Sequence, residues 1–436
     1  MMQEKKFDLA TAAFLFAGVF ILYLATWHGR FEGYEGETAQ TAAAFLLGHF
    51  EVKRAGIGAV ALYLPFVGAL KMFGLAHHTA LLSVVPIFYS ACISVILFFI
   101  ALDFGTVRRH ALLFAAAVAC ASSVWPYANI GMEYQMTLGV TILFFVLQRM
   151  HKKGANAWWV GLILAFVTLT KAYGIIFLIP VGVNFLCSDF KNKKTGLKFF
   201  LPAIFVFILQ VATNRFFHQS FFGFYKVANE FTIIRWWEGW YGLFFSFGKS
   251  LFVYNPLLTV CIIMIPQFWR RSRNATIFIF SALILLLLVN APFIYWTDET
   301  WGPRKLIPLV PLLHLPLLMI VERRIFFLKS VTIGIFIIAL YVQLLGSLFY
   351  YGKYLEILRV GDLDSLTSMR YIPELSHVII FHDLLRSHFG GNHLITYQEA
   401  SWFRWTIAGQ TDTIFRTTTI DLTPYHKFDS RLFRVH

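Results

Sequence analysis

A few ionisable residues stand where this chain otherwise carries few. Glu35 and Glu37 lie two residues apart in Gly33-Tyr34-Glu35-Gly36-Glu37. Glu133 closes Trp125-Pro126-Tyr127-Ala128-Asn129-Ile130-Gly131-Met132-Glu133 and is the only acid between Asp103 and Asp189. Lys171 ends Leu169-Thr170-Lys171, and Arg304-Lys305 follows Trp301-Gly302-Pro303. A carboxylate at a helix N-terminus is favoured by the helix dipole, and there it could take a proton from a hydroxyl or hold a cation. Arg offers a planar fork, and with Lys it could hold a phosphate. Each residue also has a plain structural role open to it. The Glu35-Glu37 pair could be a solvated acidic loop before an ordinary helix, and Glu133 a snorkelling acid in an interfacial aromatic belt. Lys171 could snorkel too. Arg304 and Lys305 could pair with Asp298, Glu299 or lipid headgroups.

The elements that must position these residues are set by composition. Of 436 residues, 58% are apolar and 14% charged, against about 25% charged in soluble domains. The mean hydropathy is +0.66. A soluble globular enzyme and a disordered chain are excluded, and so is an outer-membrane barrel, whose strands alternate apolar and polar. An all-α polytopic membrane protein remains, with about eleven transmembrane helices. They are expected near 8–27, 79–102, 110–127, 131–149, 156–171, 173–189, 197–213, 251–268, 275–294, 305–320 and 325–346. The first follows Lys5-Lys6 and is too long for a signal-peptide core, so it is read as an uncleaved span.

Every second connection then carries a basic cluster: Lys5-Lys6, Arg108-Arg109, Arg149 with Lys152-Lys153, Lys191 with Lys193-Lys194, Arg270-Arg271 with Arg273, and Arg323-Arg324. Basic residues stay on the cytoplasmic side of spans. That pattern accounts for the net charge of +14 without nucleic acid. It holds only if 57–74, interrupted by Pro65, lies on the outer interface, as does a second short helix at 37–48. The chain then divides into a transmembrane domain, 1–346, with outer loops 28–78 and 214–250, and an extracytoplasmic C-terminal cap, 347–436. Glu35, Glu37, Glu133, Lys171, Arg304 and Lys305 all fall at the outer rim. The positive-inside rule cannot explain cations there.

Other features imply less. Cys92, Cys120, Cys187 and Cys261 lie in apolar runs without zinc spacing and read as small buried hydrophobes. Gly56-Ile57-Gly58 lacks the strand a dinucleotide fingerprint requires. His377, His382, His388 and His393 lack metal-ligand spacing. No metal site is expected, although a carboxylate pair leaves a divalent cation possible.

Several segments together resemble a known family. Tyr34-Glu35-Gly36-Glu37 runs into an Ala-rich stretch ending Phe45-Leu46-Leu47-Gly48, followed by Tyr63-Leu64-Pro65-Phe66 and Lys71-Met72-Phe73-Gly74. Trp125-Pro126-Tyr127 with Gly131-Met132-Glu133, Leu169-Thr170-Lys171, Gly248-Lys249-Ser250-Leu251-Phe252-Val253-Tyr254-Asn255-Pro256 and Trp301-Gly302-Pro303-Arg304-Lys305-Leu306-Ile307-Pro308-Leu309 come after it in order. This series resembles the type C membrane glycosyltransferases, in the branch of dolichyl-phosphate-mannose protein mannosyltransferases and aminoarabinose transferases. It covers about residues 30–310. The resemblance implies a GT-C-like fold in the cell (inner or plasma) membrane and an inverting, metal-optional transfer. The donor would be a polyprenyl-phosphate sugar, and the acceptor an extracytoplasmic glycan, lipid or protein. Carried over by position, Glu35 is the catalytic acid, where the family more often has Asp, and Glu37 is a supporting carboxylate beside it. Glu133 is a further acid, and Lys171, Arg304 and Lys305 lie near the lipid phosphate.

The alternative is a transporter or flippase of a lipid-linked sugar, which would need polar residues at mid-depth and access from both sides. A non-catalytic assembly subunit of the same fold is a third possibility. The clustering of the charged residues on one side favours the enzyme.

Overall fold

The structure is a computed structural model and describes residues 2–29, 33–46, 56–75, 79–153, 156–187, 193–218, 236–293, 300–322, 326–360, 376–390, 394–399 and 416–421. In chain order its helices are α1 (Met2–Ala25), α2 (Gly33–Leu46), α3 (Ile57–Met72), α4 (Val84–Asp103), α5 (Arg108–Ala121), α6 (Val124–Ile130), α7 (Tyr134–Lys153), α8 (Ala157–Thr170), α9 (Leu178–Cys187) and α10 (Lys193–His218). Then come α11 (Trp236–Phe245), α12 (Leu251–Tyr254), α13 (Leu257–Arg271), α14 (Arg273–Asn290), α15 (Val310–Leu313), α16 (Leu318–Glu322), α17 (Phe326–Leu348), α18 (Tyr351–Val360) and α19 (His377–His388). An antiparallel pair, β1 (Leu394–Glu399) and β2 (Arg416–Asp421), joins Leu394 to Asp421 and Glu399 to Arg416.

Helices occupy each of the eleven segments expected to cross a membrane. Five stretches are long and apolar enough to do so by length and composition: Lys6–Ala25, Ala80–Asp103, Arg273–Asn290, Arg304–Glu322 and Phe327–Leu348. The pair α5 and α6, bent by 52°, makes a sixth if counted as one. Rows of large apolar side chains on these helices face outward, among them Phe14 and Ile21 on α1 and Ile333, Ile337 and Ile338 on α17. Such surface suits a bilayer and would aggregate in water. The chain is therefore membrane-embedded.

Two of the expected elements differ in detail. α2 begins at Gly33, ahead of Glu37, so both acids lie within its first turns rather than before it. The tail, expected only as an extracytoplasmic cap of an all-α protein, contains the β1–β2 pair. Its Arg416-Thr417-Thr418-Thr419-Ile420 run is rich in β-branched residues, which suit a strand better than a helix. Other parts of the tail join the main core, where Tyr354 and Ile357 of α18 and Ile380, Phe381 and Leu384 of α19 are buried.

The bend between α5 and α6 has a local cause. Ser122 is extended, with φ −129° and ψ 163°, which breaks the helical ladder. The N–H of Ser123 then donates to Asn255 Oδ1 at 2.8 Å. Pro126 is tolerated because the N–H it lacks falls in the first turn of α6, where it would have no intrahelical acceptor. α6 is closed by Gly131, at φ 80°, whose N–H reaches Tyr127 O.

At the far end of α7 a second polar knot forms. Arg149 Nε donates to Asp103 Oδ2 at 2.7 Å, and Lys152 Nζ to Asp103 O at 2.8 Å. Arg271 pairs with Glu322, which also accepts from Thr106 at 2.6 Å. Arg108 pairs with Asp8 of α1 at 2.6 Å. α7 has 20 residues and so is about 30 Å long, the thickness of a hydrocarbon core. This polar knot thus lies about one hydrocarbon thickness from the start of α7.

α3 is seated by backbone contact. A Cβ at Gly56 would lie 2.3 Å from Leu169 O and 2.4 Å from Thr170 O. Gly56→Ala should therefore cost about 1–3 kcal/mol, read as a lowered unfolding temperature in detergent. Equal stability of the two proteins would show that this approach is not needed.

Candidate functional site

The turn between α6 and α7 presents Glu133. It has φ 61°, and no other non-glycine among the described residues has positive φ. A side chain in this left-handed region is strained, so surrounding contacts must hold it there. The backbone carbonyl of Glu133 starts α7 by accepting from Thr137 N at 2.9 Å and Thr137 Oγ1 at 2.7 Å. Its carboxylate, 0% exposed, points at residues from two distant parts of the chain. Lys171 Nζ donates to Oε1 at 2.6 Å, Arg304 Nε donates to the same oxygen at 2.9 Å, and Tyr173 OH donates to Oε2 at 2.8 Å. The side chains of Lys171 and Arg304 are 24% and 12% exposed.

Local sequence explains how each partner arrives. α8 ends at Thr170, and Lys171 is extended before a tight 3-10 turn over Ala172–Phe177. That turn carries Tyr173 back toward the start of α7. Arg304 opens another 3-10 segment, Arg304–Leu309, directly after Pro303. Lys305 stands beside it with its ammonium 5.5 Å from the Phe293 ring centroid. Burial alone would raise the carboxyl pKa of Glu133. The charges of Lys171, Arg304 and Lys305 and the hydrogen bond from Lys171 outweigh burial and hold it well below the usual carboxylate range. Three cationic side chains thus act on one carboxylate.

Five of the six residues singled out in the sequence can be placed. Glu133, Lys171 and Arg304 meet directly, and the charge of Lys305 also acts on Glu133. The fit of an ion pair with Asp298 or Glu299 to Arg304 lies outside the described residues. Glu35 is in the first turn of α2, and its side chain lies outside the described ones. Glu37 is half-buried, and its buried Oε2 meets no hydrogen-bond partner among the described residues. α2 approaches the ion cluster through shared packing. Ala39 and Ala42 of α2, Val60, Tyr63 and Val67 of α3, and Tyr134 form one hydrophobic cluster. Tyr134, next to Glu133, stacks on Tyr89 at 6.1 Å and meets the edge of Tyr63 at 6.5 Å.

Sequence reasoning missed Tyr173. Its spacing of two from Lys171 was the available signal. Among the described residues no group of three His, Cys, Asp or Glu could hold a metal ion. No known family pattern matches the chain, and no curated protein matches it.

Removing the carboxylate would leave Lys171 and Arg304 facing each other. Glu133→Ala should cost about 3–5 kcal/mol, measured by thermal unfolding. The depressed pKa fixes the sign with pH. The stabilisation is fully present above the ordinary carboxylate range, near pH 4, and is lost only as pH falls through the lower folded value. The stability difference between wild type and Glu133→Ala should thus stay constant from pH 8 to pH 5 (about neutral to mildly acid). A difference that vanishes in that window would refute the assignment.

Proposed function

We propose that this protein is an integral-membrane glycosyltransferase that moves a sugar from a polyprenyl-phosphate donor to an extracytoplasmic acceptor. The observation that carries this reading is the convergence of Lys171, Arg304 and Lys305 around the buried Glu133. In this reading the chain crosses the membrane eleven times and α2 and α3 lie on the outer interface. The Asp103 and Glu322 knot faces the cytoplasm, in keeping with the basic residues there. The Glu133 cluster faces the periplasm or exterior. Residues 347–436 form the outer C-terminal region.

The chemistry follows from charge. The bond between the anomeric carbon and the phosphate oxygen breaks, and negative charge grows on a lipid phosphate. Lys171, Arg304 and Lys305, held by an ionised anchor, stabilise that charge without a nucleotide-binding domain. The acceptor oxygen attacks from the opposite face of the sugar, and its proton passes to a carboxylate on α2, giving inversion. Glu35 is the base in this reading, and Glu37, whose buried Oε2 meets no hydrogen-bond partner among the described residues, supports it or shares the role. Glu133 anchors the cations. Its oxygens already accept from three donors, and its depressed pKa makes it a poor proton acceptor. A divalent cation is not required by this scheme. Packing of α2 against the core that contains Tyr134 supports a single pocket shared by acid and cations.

The test is transfer from a synthetic polyprenyl-phosphate sugar by the purified protein in detergent. Arg304→Met should lower kcat/KM by about 100-fold or more. Glu35→Gln should abolish turnover while donor binding persists. Unreduced turnover in Glu35→Gln would refute the base. A protein that binds the donor, moves it between leaflets of a vesicle and transfers nothing would instead be a flippase.

A further inference from the structure

Lys249 is buried, and the chemistry proposed above does not use it. Its side chain is 0% exposed, and its Nζ donates to the backbone carbonyl of Thr300. An ammonium is strongly hydrated, so its burial beside a backbone oxygen requires a reason. Thr300 begins the turn that delivers Arg304. Successive carbonyls of this turn each have a donor: Thr300 O takes Lys249 Nζ, Trp301 O takes Tyr127 OH at 2.7 Å, and Gly302 O takes Arg304 N at 3.1 Å. Tyr127 OH also lies 3.0 Å from Thr300 Oγ1.

The turn is clamped on its other sides as well. Gly302 has φ 59°, and a Cβ there would lie 2.7 Å from the Tyr254 ring. Trp301 meets the edge of Tyr254 at 5.0 Å and stacks on Phe381 at 5.6 Å. Lys249 itself is fixed in its own segment. Its N–H donates to Ser246 Oγ at 3.1 Å, and Ser250 caps α12 through Phe252 N and Val253 N. Asn255 at the end of that segment accepts from Ser123 N, which ties it to α6 and so to the turn that carries Glu133.

We infer that Lys249 is a positioning residue, whose buried ammonium fixes the Thr300–Arg304 turn so that the Arg304 guanidinium meets Glu133 and an incoming lipid phosphate. The inference rests on the donor reading for its ligand, but the positioning itself has a separate readout. A charge-assisted hydrogen bond to a carbonyl is stronger than a neutral one, and it can hold a backbone segment whose sequence, Gly302-Pro303, forms no regular ladder. The sequence pattern marked Lys249 only as part of Gly248-Lys249-Ser250 and gave it no role.

The experiment uses the full-length protein in detergent with Lys249→Met, Arg304→Met and the double variant. Hydrogen exchange over Thr300–Leu306 reports the turn directly. It should quicken in Lys249→Met while the amides of α4 and α5 exchange as in wild type. Farnesyl phosphate, a short lipid monophosphate, serves as the binding probe. Its affinity should fall about tenfold in Lys249→Met. In the Arg304→Met background the same substitution should change affinity little, because its effect passes through Arg304. Lys249→Gln, which keeps a neutral donor, should fall between Lys249→Met and wild type. Unchanged exchange in Lys249→Met overturns the positioning role, and so does an equal loss of affinity in both backgrounds. Quickened exchange with no binding of farnesyl phosphate by the wild type sustains the positioning role and overturns the donor reading.

Discussion

One buried carboxylate holds the rim together. Glu133 lies where α6 stops and α7 starts, and it is matched by cations from the end of α8 and from the start of Arg304–Leu309. Without an anion between them Lys171 and Arg304 would repel, and their partial burial would go uncompensated. With it, three segments far apart in the chain are fixed to one point. The left-handed backbone at Glu133 is consistent with that task, since its strain persists only because the ion pairs over-determine it. Lys171, Arg304 and Lys305 all act on this one carboxylate.

The rest of the fold serves to keep this point at a fixed depth. α7 runs from Glu133 to the Asp103–Arg149 pair, so one rigid helix separates the two polar rims. Between them the contacts are apolar, and α5 contributes small buried residues, Ala111, Ala115, Ala119 and Ala121, that let neighbours approach closely. α3 is laid directly on the end of α8, beside Lys171, by the bare backbone at Gly56. Trp301 is wedged among Tyr254, His377 and Phe381, which links α19 in the tail to the turn preceding Arg304. The residues with chemistry sit on helix ends and tight 3-10 turns, and the helices behind them supply the rigidity.

How much of this was legible follows from what each residue does to the local pattern. Lys171, Glu133 and Arg304 broke long apolar runs at predictable connections, so the sequence exposed them and grouped them on one side. It could not show that they pair with one another, because their separation along the chain is carried by helix packing. The apolar runs located the helical segments, but not their lengths. α8 has 14 residues and α9 only 10, because polar turns at Lys171 and the 3-10 segment after it shorten them. Pro126 and the serines before it hid the bend between α5 and α6 inside one apolar stretch. Neither Tyr173 nor Lys249 stands out by its residue type. Only tertiary contact separates them from such residues.

The surroundings also divide labour among the acids. A general base must have an oxygen free to take a proton and a pKa near the working pH. Glu133 has neither, since both oxygens accept hydrogen bonds and its ionised form is stabilised by the cations about it. It can organise charge but cannot relay it. Glu37 stands differently: its Oε2 is buried and meets no partner among the described residues, on a helix whose N-terminal turns favour an anion. A buried carboxylate oxygen without a hydrogen bond is costly and calls for a partner. Glu133 and Glu37 are thus told apart by what touches each of them among the described residues: three donors on the first, none on the buried Oε2 of the second.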